Sequence, residues 1–399
     1  MRAVRMLLTL AFSLLIALPG LQLRYRFIPE ETLSGVGVEP QRPALTREGW
    51  WSGQFQSELE AWFDAHVGFR GHAIRTDNQI GLEVFHEAFS NAADTPVLGR
   101  RMMIYEEHYL TAYDGVVHYR DRGLRKRARD LRRLQDSLKE RGIAFVLVIA
   151  PSKVSIYPEY LPEGFVHPDG LRPTTAYERM LPMLRSEGVH VVDGHAILEE
   201  EKGRSRHALF PPGGIHWNRY GAYLVVRRVF EDIEQQLGRP LVGLRCRAIS
   251  ENDEPLLADQ ETDVADLMNA WHVGHADWRF PRPEIFADDG GGRAFRPKLV
   301  VVGDSFWTLP DAMIARERLA ARNDFFYYFN EFPGADSLNE RKGAHPGDFY
   351  SGMSWEYVFS ADAVIIEVIE AAIGDAGFGF VQQAQKSLLP SSSPPRPAP

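Results

Sequence analysis

The stretch "KLVVVGDSFW", Lys298 to Trp307, decides how the chain folds. Leu299 and three consecutive valines run straight into Gly303, Asp304 and Ser305. A continuously apolar, β-branched run of this kind reads as a strand buried on both faces, which belongs to a parallel sheet. Similar runs stand at "IAFVLVIAP" (143–151), "VHVVD" (189–193), "DFFYYF" (324–329) and "AVIIEVI" (363–369). Helical patterns separate them. Leu124, Ala128, Leu131, Leu134 and Leu138 share one helical face with Gly142 placed to cap it, and further helices are expected near 176–187, 218–236 and 311–322. This alternation predicts an α/β fold, a mainly parallel sheet with helices on both faces. Residues 240–296 read as irregular, with one short helix at "DVADLMNAW".

The chain has 399 residues, 44% of them hydrophobic and 25% charged, with a net charge of −9. That balance argues against nucleic acid as a partner. Cys246 is the only cysteine, so no intramolecular disulfide forms, and no CxxC or HExxH spacing offers a metal site. No cofactor is implied. At the N-terminus, Arg2 and Arg5 precede an uncharged run from Met6 to Leu23, followed by Arg24 and Arg26. The run is near the length that spans a bilayer, and no Ala-x-Ala cleavage signal follows it. An uncleaved membrane anchor over 1–26 is favoured over a cleaved signal. Either reading exports the rest of the chain, to the periplasm of a bacterium. Residues 27–50 read as a linker, 51–385 as the α/β domain and 386–399 as a disordered Pro- and Ser-rich tail. The arginines of "RGLRKRARDLRR" read as a solvated helix face or a docking surface for an acidic polymer.

In open parallel sheets, functional groups gather at the carboxyl ends of strands. Ser305 stands at such an end, in a strand-to-helix turn where backbone N–H groups can face an oxyanion. The alternative is that Asp304 or Ser305 simply caps the next helix. A second stretch, "PPGGIHWNRYGAY" (Pro211–Tyr223), places His216 in a glycine-bracketed loop ahead of a helix that Asn218 is fit to cap. Serine is a weak nucleophile without a base, and a strand-end serine with a loop histidine supplies the pair.

"VVGDSF", "IHWNRYGA" and "VLVIAPSKVSIYPEYLP" resemble the SGNH-hydrolase-like domain of the alginate O-acetyltransferases AlgJ and AlgX. The likeness runs from about Phe55 to Glu370 and includes the permuted motif order, histidine before serine. No residues remain for the carbohydrate-binding module at the AlgX C-terminus, which makes the chain more AlgJ-like. The resemblance implies Ser305 as nucleophile, His216 as base and an acetyl-enzyme intermediate. It also implies a membrane-bound O-acyltransferase as acetyl donor at the inner membrane and an exported polysaccharide as acceptor. Gly303, Asn330 and Lys153 are candidates for oxyanion or substrate contacts.

One position departs from the family. Its motif is Asp-x-His-Trp, and this chain reads Gly214-Ile215-His216-Trp217. Disabling the acidic member of a serine triad lowers kcat by about 10⁴, roughly 5 kcal/mol of barrier. Three arrangements fit: a carboxylate from elsewhere, with Asp193 and Glu367 as candidates; a backbone carbonyl orienting a slower Ser-His dyad; or a domain that only binds polymer. Asp193 and His195 form an Asp-x-His without the tryptophan. Three activities follow: acetyl transfer, acetyl-ester hydrolysis, or a non-catalytic polysaccharide-binding scaffold.

Overall fold

A strand with no exposed face has to lie inside a sheet that is covered on both sides. β1 (Ala144–Ala150) and β7 (Ala363–Ile369) meet that condition along their whole length. In the computed structural model of the chain they pair in parallel, from Ala144 opposite Ala363 to Ala150 opposite Ile369. The structure describes residues 2–35, 39–88, 95–117, 119–162, 165, 172–256, 260–329 and 355–388. With β2 (Val191–Asp193), β5 (Lys298–Gly303) and β6 (Arg322–Tyr327) they form a five-stranded parallel sheet of order β2-β1-β7-β5-β6.

Side chains alternate across this sheet and split the core in two. Val146, Val148, Val301 and Ile365 share one cluster with apolar residues of α7 (Arg219–Leu237) and α8 (Thr308–Arg316). Phe145, Leu147, Val302 and Ile366 share the other with α4 (Asp121–Lys139), α5 (Ala176–Glu187) and α9 (Phe380–Leu388). α4 buries the five residues that its periodicity marks, and Gly142 follows it at φ +73°. Arg122, Arg125, Lys126 and Arg129 lie on its exposed side. A capping box between Thr175 and Glu178 starts α5, and the Asn218 side chain accepts from the N–H groups of Tyr220 and Gly221 to start α7.

Part of 240–296 is regular, against expectation. β3 (Gly243–Asn252) and β4 (Phe280–Asp288) pair antiparallel, with a register shift between Cys246 and Ile249. The ribbon hides in the sequence because β3 is largely polar and Pro281 and Pro283 interrupt β4. Proline is tolerated in a strand where its missing N–H would face outward.

The chain divides into two compact units, residues 1–98 with 263–275, and residues 99–262 with 276–399. The second holds the sheet. In the first, α1 (Arg2–Tyr25) is followed by α2 (Gln54–His66) and α3 (Arg70–Ile80). Val4–Tyr25 has a mean hydropathy of 2.0 and is long and apolar enough to cross a membrane. The end of α1 is built into its unit. Gln22 is buried, its amide donating to Ile28 O at 2.5 Å and to Glu30 Oε1 at 2.9 Å. Gly68 lies so close that a Cβ there would meet Pro19 O at 2.4 Å. Of the tail 386–399, residues 389–399 lie outside the described residues.

The two faces of α4 give a direct test. Leu134→Ala, at a position with no exposed surface, is expected to cost about 2–5 kcal/mol of stability. Arg129→Ala on the exposed side is expected to stay within about 0.5 kcal/mol. Urea unfolding followed by tryptophan fluorescence measures both.

Candidate active site

All five strands point the same way, so their carboxyl ends share one edge, and β5 ends there at Gly303. The glycine is required by a close approach. A Cβ on Gly303 would sit 2.7 Å from Glu367 Oε2 and 3.2 Å from Trp307 Cβ. Glu367 reaches across from β7 and accepts the backbone N–H of Asp304 at 3.0 Å. Asp304 then closes the turn. Its Oδ1 accepts from Phe306 N at 2.9 Å and its Oδ2 from Ile369 N at 2.8 Å. Ser305 opens a short 3₁₀ turn through Trp307 that leads into α8. Asp304, Phe306 and Trp307 are buried, and Ser305 alone of these four is partly exposed.

Two buried carboxyls in contact cannot both ionise cheaply. Burial, and then the charge on Asp304, push Glu367 well above the ordinary carboxylate range. Burial also raises Asp304, but the N–H groups of Ile369 and Phe306 and the charge of His216 work against it. The proton of the pair therefore stays on Glu367, and Asp304 is the one that ionises.

His216 is carried on a loop pinned from several sides. Asn218 N donates to Leu209 O at 2.9 Å, and Asn218 Nδ2 to Ala208 O at 2.7 Å. The Tyr157 hydroxyl accepts from Leu209 N at 3.0 Å, and Ile104 N donates to Pro212 O at 2.9 Å. Lys153, buried just after β1, donates from Nζ to the carbonyls of Pro211 (3.2 Å), Pro212 (3.1 Å) and Gly214 (2.5 Å). Its ammonium also stands 5.6 Å from the ring centre of Tyr105. Where the family motif has an aspartate side chain, this chain has a main-chain carbonyl held by a lysine.

The loop and the turn meet through Phe306. Its ring stands edge-on to the His216 imidazole at 4.8 Å and to Trp217 at 5.6 Å. The Tyr328 phenol stands beside Ser305, raised above its ordinary pKa by burial and then by the charge of Asp304, so it is neutral at physiological pH. Tyr328 and Phe329 both adopt left-handed backbone, φ 47° and 56°, directly after β6. Such strain in bulky residues concentrates at functional sites. Nothing in the sequence marks Tyr328 apart from its neighbours Tyr327 and Phe329.

The other candidates lie as follows. Asp193 caps α6 (Gly194–Lys202) through Ala196 N, accepts from the Tyr177 hydroxyl at 2.9 Å and pairs with Arg185 at 3.1 Å. β2 is three strand positions from β5, roughly 14 Å. Asn330 lies outside the described residues. His195 donates to Glu370 Oε2 at 2.7 Å, while Ser152 N and both the Ser152 and Ser155 hydroxyls bind Glu370 Oε1. In this cluster the carboxylate stands between serines and histidine, which is the wrong order for a base to act on serine. It ties the end of β7 to the segments after β1 and β2.

Residues 105–289 match the family model described as "SGNH hydrolase-like domain, acetyltransferase AlgX". Over that stretch the chain is similar to the AlgX-type SGNH hydrolase-like domain. The match includes Lys153 and His216 and ends before Ser305. The chain is 25% identical over 202 residues to the probable alginate O-acetylase AlgJ of Pseudomonas aeruginosa, covering 45% of this chain and 48% of that protein. It is 26% identical over 222 residues to the alginate biosynthesis protein AlgX of the same organism, covering 53% and 42%. Thus the chain spans about half the length of the curated relatives it matches. The solved O-acetyltransferase domain of Pseudomonas putida AlgJ superposes with a TM-score of 0.44 at 17% identity, covering 74% of this chain and 99% of that one.

Two predictions rest on the buried acids. Glu367→Gln keeps a neutral acceptor for Asp304 N and is expected to hold stability within about 1 kcal/mol. Glu367→Ala leaves that N–H unsatisfied beside a cavity and is expected to cost about 3 kcal/mol; thermal unfolding of both variants checks this. Burial opposes charge on both members of the His195–Glu370 pair, but their mutual attraction wins, raising His195 and lowering Glu370. The lowered acid contributes stability above its unfolded value near 4.5 and loses it as pH falls. The raised base contributes fully below its unfolded value near 6.5 and loses it as pH rises. Melting temperature against pH should therefore fall on the alkaline side of 6.5, and His195→Gln should flatten that fall.

Proposed function

We propose that the chain is a serine O-acetyltransferase that moves acetyl groups onto hydroxyls of an exported polysaccharide. The observation that carries this reading is the approach of the two motifs: Phe306, next to Ser305, packs edge-on against His216 at 4.8 Å on the functional edge of the sheet. In this mechanism His216 takes the Ser305 proton as Oγ attacks the acetyl carbonyl of the donor. The tetrahedral intermediate collapses, the donor's leaving group departs with that proton, and an acetyl ester remains on Ser305. His216 next takes the proton of a sugar hydroxyl, whose oxygen attacks the acetyl carbon. The Ser305–acetyl bond breaks and the proton returns to Ser305. The neutral Tyr328 phenol is a donor for the oxyanion that develops at each addition.

Gly214 leaves His216 without the family's aspartate. The pinned loop, with Lys153 on three of its carbonyls, supplies the orientation that an aspartate would give. Asp304 supplies a carboxylate whose charge interacts with that of His216. The relatives are named for alginate O-acetylation and biosynthesis, which supports a uronate polymer as acceptor; a membrane-bound O-acyltransferase as acetyl donor is what the motif resemblance implies. An uncleaved anchor, with the rest of the chain in the periplasm, is supported by the hydropathy of α1 and by the burial of Gln22 within its unit. Gly214 favours a second reading, a subunit that binds polysaccharide without catalysis.

The full chain in detergent, treated with a serine-reactive phosphonate and assayed with a chromogenic acetyl ester, separates the readings. The expected result is an adduct on Ser305 by mass spectrometry, with turnover reduced at least about 10³-fold in both Ser305→Ala and His216→Ala. A folded chain with neither adduct nor turnover establishes the non-catalytic reading.

A further inference from the structure

The foot of α1 is covered before its apolar run is over. Leu18 and Pro19 are half-covered and Gln22 is buried, whereas residues 4–17 are bare. The uncharged run begins after Arg5, so its bare part is residues 6–17, about 18 Å of helix at 1.5 Å per residue. The hydrocarbon core of a bilayer is about 30 Å thick. A span with its last turns held by protein is therefore roughly 12 Å short, and a short span draws its flanking residues into the membrane. The edge of the unit around residues 18–28 has to sink to headgroup depth.

At that edge a cavity of about 560 Å³ opens between the end of α1, residues 28–40 and the turn from α2 to α3. Its acids are matched. Glu30 accepts from the Gln22 amide at 2.9 Å and from Phe69 N at 2.8 Å, Glu31 pairs with Arg75 at 3.7 Å, and Glu39 with His66 at 3.4 Å. Two of its cations are not. Arg26 and Arg70 line the cavity, and neither side chain bonds to any group among the described residues. Arg70 is half-buried there, a costly place for a cation without a counter-ion. On the same segment Phe27 packs edge-on against Phe69 at 5.8 Å yet leaves 53% of its surface open, and Tyr25 leaves 67% open. Exposed aromatic rings flanking an apolar helix suit the boundary between water and lipid.

We propose that this cavity seats the phosphate of a phospholipid headgroup, with Arg26 and Arg70 as its donors and the acyl chains continuing along the bare part of α1. The phosphate supplies the counter-charge that the two arginines lack, and a guanidinium can bind it through two parallel hydrogen bonds. A lipid, rather than free phosphate, is the occupant because the shortfall of the span brings the cavity to the depth at which headgroups lie. The inference rests on the anchor reading given above and goes beyond it by assigning a ligand to the unit that carries the anchor.

The probes are dioctanoyl phosphatidylglycerol and glycerol phosphate, each titrated into the full chain in detergent, with retained ligand counted by native mass spectrometry. Arg26→Gln and Arg70→Gln are each expected to weaken lipid binding about tenfold, and Arg129→Gln, an equal loss of charge on α4, to leave it unchanged. Glycerol phosphate carries the headgroup chemistry without acyl chains and is expected to bind at least about a hundredfold more weakly. Because Arg26 is exposed, its variant decides the matter if Arg70→Gln fails to fold. Lipid retention that is absent, or weakened equally by Arg129→Gln, overturns the site. Glycerol phosphate binding as tightly as the lipid overturns the membrane assignment. Intact mass separates the two kinds of failure. A purified chain that has lost α1 overturns the anchor reading and the site with it, whereas a chain that keeps α1 and retains no lipid overturns the site alone.

Discussion

A neutral carboxyl stands where the turn that carries Ser305 needs an acceptor. The backbone N–H of Asp304 points into the sheet, away from water, and Glu367 receives it. An ionised carboxylate in that position would have to bear the full penalty of desolvation beside a second acid. Protonated, the same group can accept from the N–H and donate to the Asp304 carboxylate at once. The rest of the turn depends on this contact. Gly303 has no side chain because Glu367 occupies its space, Asp304 is positioned to bind Phe306 N and Ile369 N, and Ser305 is left facing outward. A helix cap and a buried acid pair together do what a tight turn alone would not.

The His216 loop is organised by main-chain carbonyls. An aspartate behind a catalytic histidine normally performs two tasks, fixing the ring and compensating its charge. Here the tasks are divided. Lys153, Asn218, Tyr157 and Ile104 hold the loop, and none of them brings a negative charge. The carboxylate that senses His216 belongs to the serine turn itself.

Much of this was legible from the chain, for identifiable reasons. β1, β5 and β7 are continuously apolar, so their type and nearly their limits follow from composition alone, and α4, α5 and α7 declare themselves by period and caps. The β3–β4 ribbon did not, because a polar, proline-bearing pair of strands has no alternation to read. At the site, the motifs give Ser305 and His216 but not their surroundings. The contact between Glu367 and Asp304 joins residues on different strands and runs against the expectation that acids avoid one another. Tyr328 is placed by a backbone strain that no residue type announces. Lys153, a candidate for substrate contact in the sequence, is buried on the carbonyls of the loop, an arrangement only long-range packing reveals.

The strand order has a consequence for how the chain reaches this state. β7, the last strand of the sheet in sequence, lies between β1 and β5, so Ala144 finds its partner at Ala363 and Leu299 finds the same one. Pairings so distant in sequence are slow to form, because loop closure precedes any reward from contact. Until β7 inserts, β1 and β5 each present an apolar, unpaired edge, the kind of surface that draws chains into aggregation. The same strand brings Glu367 to the serine turn. The chain would therefore acquire a completed sheet and a completed Ser305 turn in a single late step, with the exposed edges a transient risk until then.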